Sequence, residues 1–69
     1  MNRIKEVLKE KHLTQTWLST QLGKSYNMVN SYVQNRRQPS IELLYEIGVL
    51  LKTDPRELLV IKKNNIKSK

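Results

Sequence analysis

Four residues, Asn27, Asn30, Ser31 and Gln34, stand at i, i+3, i+4 and i+7. On a helix this spacing lines them along one face. Each carries a neutral hydrogen-bonding group and none a charge. Asn and Ser are mediocre helix formers, and a face that needed only solubility would more often use Glu, Lys and Arg. A stripe of amides suits base edges, because an Asn or Gln can pair with N6 and N7 of adenine in the major groove. For Asn30 or Gln34 alone, an ordinary solvated face is the better reading. The four together, in their setting, favour DNA. From Thr14 to Arg37 the chain has six Asn/Gln, three basic residues (Lys24, Arg36 and Arg37) and no acid, and no acid occurs between Glu10 and Glu42.

Other chemistry finds little support. His12 is the single histidine and has no carboxylate cluster near it in sequence, so it reads as a helix-end residue meeting free carbonyls. Cysteine is absent, which removes disulfides and thiolate metal sites. Paired carboxylates, a phosphate-cradling glycine loop and a nucleophile–base pair are all missing. An enzyme is not expected, nor a cofactor.

The totals agree. A chain of 69 residues is one domain at most, with a thin core and no room for a deep substrate pocket. Its net charge of +7 favours a polyanionic partner. No apolar run approaches the ~20 residues of a membrane span, and the N-terminus lacks a signal peptide's apolar core. The expectation is a cytoplasmic, nucleoid-associated protein with no membrane partner.

Five short helices should position the stripe, giving an all-α bundle. The first spans about Asn2 to Lys11, with Ile4, Val7 and Leu8 on one face. The second follows Thr14 as N-cap, carries Leu18 and Leu22 inward and stops at Gly23. Trp17 belongs at its core edge. The third follows Ser25 and runs to about Gln34, with Val29, Tyr32 and Val33 inward. Ser40 opens the fourth, with Ile41, Leu44, Ile47, Gly48 and Leu51 inward. Gly48, costly inside a helix, would be explained by a tight helix–helix contact. Asp54-Pro55, with Glu57 three residues after the Asp, makes a capping-box-like start for the fifth. Leu58–Ile61 could instead extend. The helix-turn-helix domain should occupy residues 1–61, and the basic tail 62–69 should be disordered.

At this point the residues resemble a family. QTWLS, LGKS, YNMVNSYVQN and RRQPS look like the Cro/repressor-type helix-turn-helix family (the Xre family), with a lambda-repressor-like fold, over about Ile4 to Leu59. The resemblance implies that Gln15, at the start of the second helix, meets a DNA phosphate, and that Ser25, Tyr26, Asn27 and Ser31 reach base edges. Asn30 joins them as a base contact from its place on the stripe. Gln34, Arg36 and Arg37 would touch backbone at the end of the third helix, with Lys24 a weaker phosphate candidate. Three departures stand out. Ser19 replaces a frequent Ala. Leu8 and Val33 occupy the places of a buried Arg–Glu pair, so no charge is stranded, and the two should meet in the core. Tyr26 is large for a first base-contact position; it could stack on sugar or a thymine methyl, or pack on the second helix.

The function so implied is sequence-specific binding of double-stranded DNA by a repressor-like transcriptional regulator, its third helix in the major groove. Leu43, Val49, Leu50, Leu59 and Ile61 exceed what one small core needs and suggest a homodimer through helices four and five. Two rivals remain. One is a DNA-binding antitoxin or protein-binding adaptor with a small protein partner. The other is an RNA or membrane-surface binder driven by charge alone.

Overall fold

The computed structural model describes residues 1–60. Its order is α1 (Ile4–Glu10), α2 (Gln15–Leu22), α3 (Tyr26–Val33), α4 (Ile41–Leu51) and a single 3-10 turn, Pro55–Leu58. The expected tail and Ile61 lie outside the described residues.

Three of the expected hydroxyl caps form. Thr14 Oγ1 accepts from Trp17 N at 3.0 Å, Ser25 Oγ from Met28 N at 3.1 Å and Ser40 Oγ from Leu43 N at 3.1 Å. Each satisfies one of the amides that a helix start leaves unpaired. The α2–α3 turn is short because Gly23 takes the left-handed conformation, φ 67°. Its N–H bonds Thr20 O at 3.2 Å while Lys24 N bonds Ser19 O at 3.1 Å, the paired closure of a Schellman motif.

The other three helices close the same way without glycine. His12, Asn35 and Lys52 have φ of 58°, 61° and 54°. Their N–H groups bond Lys9 O, Tyr32 O and Val49 O, and the next residues' N–H groups bond Leu8 O, Ser31 O and Gly48 O. Sequence reasoning found only the Gly23 stop, since a lysine or histidine at such a position carries no glycine signal. His12 does sit at a helix end, but it meets the Lys9 carbonyl through its backbone N–H and not through the imidazole.

The core is one cluster. Ile4, Leu18, Val29, Val33, Ile47, Leu51 and Leu58 are fully buried, with Val7, Leu8, Tyr32, Leu43 and Leu44 beside them. Burying each such aliphatic side chain contributes about 1.5–3 kcal/mol. Leu8 and Val33 both lie in this cluster, so the apolar replacement of a charged pair is accommodated there. Trp17 packs at its edge. Gly48 meets a close approach, though by a following loop and not a helix: a Cβ there would stand 2.8 Å from Thr53 O and 3.1 Å from Pro55 Cγ.

Three expectations need correction. The expected fifth helix is one 3-10 turn, because the chain beyond it is drawn into an antiparallel pairing with the N-terminus. Asn2 and Leu59 form an isolated bridge, flanked by Arg3 N to Leu58 O at 2.8 Å and Val60 N to Met1 O at 3.2 Å. Those bonds occupy the backbone groups that a longer helix would have used, and they start α1 at Ile4. Asp54 caps the turn as expected, but its carboxylate serves Arg56, accepting from Arg56 N at 2.9 Å and pairing with the guanidinium at 2.7 Å. The arginine beside it holds the Asp54 carboxyl down to about 2.

Helix α4 buries Leu44, Ile47, Gly48 and Leu51 as expected, but not Ile41. Ile41 is 65% exposed, whereas Leu43 is buried and Leu50 packs on the core. Leu43 and Leu50 are therefore core residues. The apolar surface left on α4 is Ile41, Tyr45 and Val49, at 65%, 59% and 75% exposure.

Candidate nucleic-acid interface

Helix α2 packs across α3. Leu18 from α2 and Val29, Tyr32 and Val33 from α3 are buried in the core. That commits one side of α3 inward and leaves the other to solvent. The described acids, Glu6, Glu10, Glu42, Glu46, Asp54 and Glu57, lie on α1, α4 and the 3-10 turn. None lies on α2, α3 or their connections, so the chain from Lys11 to Ile41 carries no anion.

The stripe on α3 divides into free and engaged members. Tyr26 is 49% exposed. Asn27 and Gln34 are exposed, and neither side chain makes a hydrogen bond among the described residues. Packing of Tyr26 away on α2 is thus not complete, and about half its surface faces solvent. Ser25 is the α3 N-cap, so its hydroxyl oxygen is engaged by Met28 N while its proton stays available. Ser31 is half-buried and its hydroxyl donates to Met28 O at 2.6 Å, leaving only lone pairs to offer. Asn30 is half-buried, bonding Gln15 Oε1 through Nδ2 at 2.8 Å and accepting from Arg36 Nη1 at 3.2 Å.

Gln15 opens α2, where the first amides of a helix have no intrahelical acceptor and favour an anion. It borders a shallow groove of about 270 Å³, with Leu8, Leu13 and Val33 lining it and Lys5 and Lys9 at its sides. Lys5 and Lys9 were not singled out in the sequence; their i, i+4 spacing on α1 puts both on one face, but only the fold sets that face beside Gln15. Lys24 in the turn and Arg36 and Arg37 after α3 are exposed.

The end of α3 is held by residues the sequence reading passed over. Asn2 is buried and sends Nδ2 to Tyr32 O and Gln38 Oε1, each at 3.0 Å. Asn35 Oδ1 accepts from Asn2 N at 2.8 Å, and its Nδ2 returns to Asn2 O at 3.2 Å. Every lone amide here would cost the desolvation of an unpaired polar group, and all are paired. The network pins the Arg36-Arg37 loop to the N-terminus. No local pattern announces it, since it joins Asn2 to residues thirty or more positions further along the chain.

A short capped helix crossing a second one, a glycine turn between them and an uncharged polar face flanked by cations define a helix-turn-helix domain. The helix-turn-helix family model matches residues 4–58, and the chain belongs to that family, the Cro/C1-type (Xre) DNA-binding domains. It is also similar to a crystal structure of a "putative DNA-binding protein" from Bacteroides fragilis, with 46% identity and a TM-score of 0.83 over 84% of this chain and 94% of that one. No curated protein matches.

Proposed function

We propose that the protein binds double-stranded DNA sequence-specifically and acts as a repressor-like, non-enzymatic transcriptional regulator on the nucleoid. The observation that carries this reading is the exposed, uncharged face of α3, with Asn27 and Tyr26 free to meet base edges, set in the acid-free chain from Lys11 to Ile41. Helix α3 lies in the major groove and α2 crosses above it. Gln15, Gln34, Lys24, Arg36 and Arg37 hold phosphates and supply most of the affinity, while the α3 face supplies selectivity.

One such domain offers little contact area, so two copies act together. The exposed Ile41, Tyr45 and Val49 recur every four residues along α4 and form one apolar strip. A two-fold pair through this strip reads half-sites about one helical turn, near 34 Å, apart. The test is selection of bound duplexes from a random pool at physiological salt. Enrichment of a two-fold symmetric motif supports a dimeric sequence reader. Retention without a motif removes sequence reading. A small protein co-purifying on the α4 strip would favour the antitoxin or adaptor reading instead.

A further inference from the structure

Asn30 sits between Gln15 and Arg36, and the three side chains form a chain with a fixed direction. A guanidinium has donors only. The Asn30 atom that faces Arg36 Nη1, at 3.2 Å, is therefore the carbonyl oxygen. The Asn30 NH2 must then face Gln15, where it meets Oε1 at 2.8 Å. Gln15, having turned its carbonyl to Asn30, must turn its own NH2 away. Both amide carbonyls are thus turned to partners within the relay. What remains outward are donors: the Nε2 hydrogens of Gln15 and the unused N–H groups of Arg36. These lie beside the first turn of α2, whose Thr14 cap satisfies Trp17 N and leaves the amides of Gln15 and Thr16 without an intrahelical acceptor.

We infer that Asn30 is a positioning residue that reads no base: it locks Gln15 and Arg36, from two different elements, as a preset pair of donors for the DNA backbone. The inference rests on the DNA-binding reading above and changes one assignment in it. Asn30 leaves the set of base contacts, and the reading face contracts to Ser25, Tyr26, Asn27 and Ser31. The partner of the relay is a phosphodiester, which only accepts hydrogen bonds at neutral pH.

The experiment is a double-mutant cycle on a selected duplex, with Asn30→Ala, Gln15→Ala and the double variant, repeated on single-base variants of the site. Asn30→Ala should weaken binding about three- to tenfold, the size of a typical hydrogen-bond loss. The loss should be equal on all the site variants, leaving their ranking unchanged, and clearly smaller in the Gln15→Ala background, where only the Arg36 contact remains to be lost. Relaxed preference at one base pair, or losses that simply multiply, would overturn the inference while leaving DNA binding intact. Wild-type protein that retains no duplex would instead overturn the DNA reading. A second measurement needs neither DNA nor the Asn30 variant. The Asn30 side-chain amide proton bonded to Gln15 should lie downfield in the free protein and move upfield in Gln15→Ala. An unmoved resonance would overturn the relay.

Discussion

A side chain's availability for recognition depends on what its polar atoms already do. Asn27 and Asn30 look alike in the sequence, yet among the described residues Asn30 is held by two partners and Asn27 by none. Asn27→Ala should cost about 1–3 kcal/mol on the preferred site and relax one base position; equal weakening on every duplex would make it a backbone contact. Lys52 tests another residue-level feature, its left-handed φ of 54° on an exposed helix end. Lys52→Gly should relieve about 1 kcal/mol of strain and raise the Tm by about 5 °C. Asp54 supplies a pH-dependent term. Its carboxyl is held down to about 2 from the usual 3.8 by the Arg56 side-chain and backbone hydrogen bonds. Folding is thus favoured by this group above the unfolded value, and the benefit fades as pH falls through about 2. Because the pair lies at the surface, the effect should be small and screened by salt. The Tm difference between wild type and Asp54→Asn should be flat above pH 5 and shrink toward pH 2.

At the scale of elements, ends and junctions decide the packing. Gly48 lies inside α4, where alanine would ordinarily be preferred by about 1 kcal/mol. Here a Cβ would press on the Thr53 carbonyl at 2.8 Å, and that oxygen belongs to backbone. Gly48→Ala should therefore destabilise the fold by about 1–3 kcal/mol, measured by denaturant unfolding; a stabilised variant would mean that the loop yields freely. The need for a close approach at Gly48 was legible, because a helix-interior glycine is costly without a reason. The partner was not, because a loop closing on a helix leaves no periodic trace. Likewise the Thr14, Ser25 and Ser40 caps are local and readable, while the N-terminal pairing that shortens the fifth element joins Asn2 to Leu59.

For the whole molecule, the question is which apolar surface stays uncovered. Helix α4 has apolar residues nearly all round, so its periodicity placed Leu44, Ile47, Gly48 and Leu51 inward but left the edges of that face open. The structure buries Leu43, Leu44, Ile47 and Leu51 and exposes Ile41, Tyr45 and Val49. Tyr45→Asp should leave the monomer folded and abolish self-association in sedimentation at micromolar protein. DNA affinity for a two-half-site duplex should then drop toward that for a single half-site. A wild type that sediments as a monomer, free and on DNA, would remove the dimer.

What the sequence by itself determined is local: helices marked by hydroxyl caps and 3.6-residue periodicity, a glycine stop, an acid-free segment and the motif spacing of a helix-turn-helix protein. These depend on interactions within a few residues, so the order of side chains along the chain contains them. The tertiary structure decided which polar groups were still free. It spent Asn30 on Gln15 and Arg36, used Asn2 and Asn35 to anchor the end of α3, and turned Ile41 outward. Such outcomes depend on partners distant in sequence. A neutral amide has the same donors and acceptors wherever it stands, and only its neighbours in space settle whether it recognises another molecule or holds this one together.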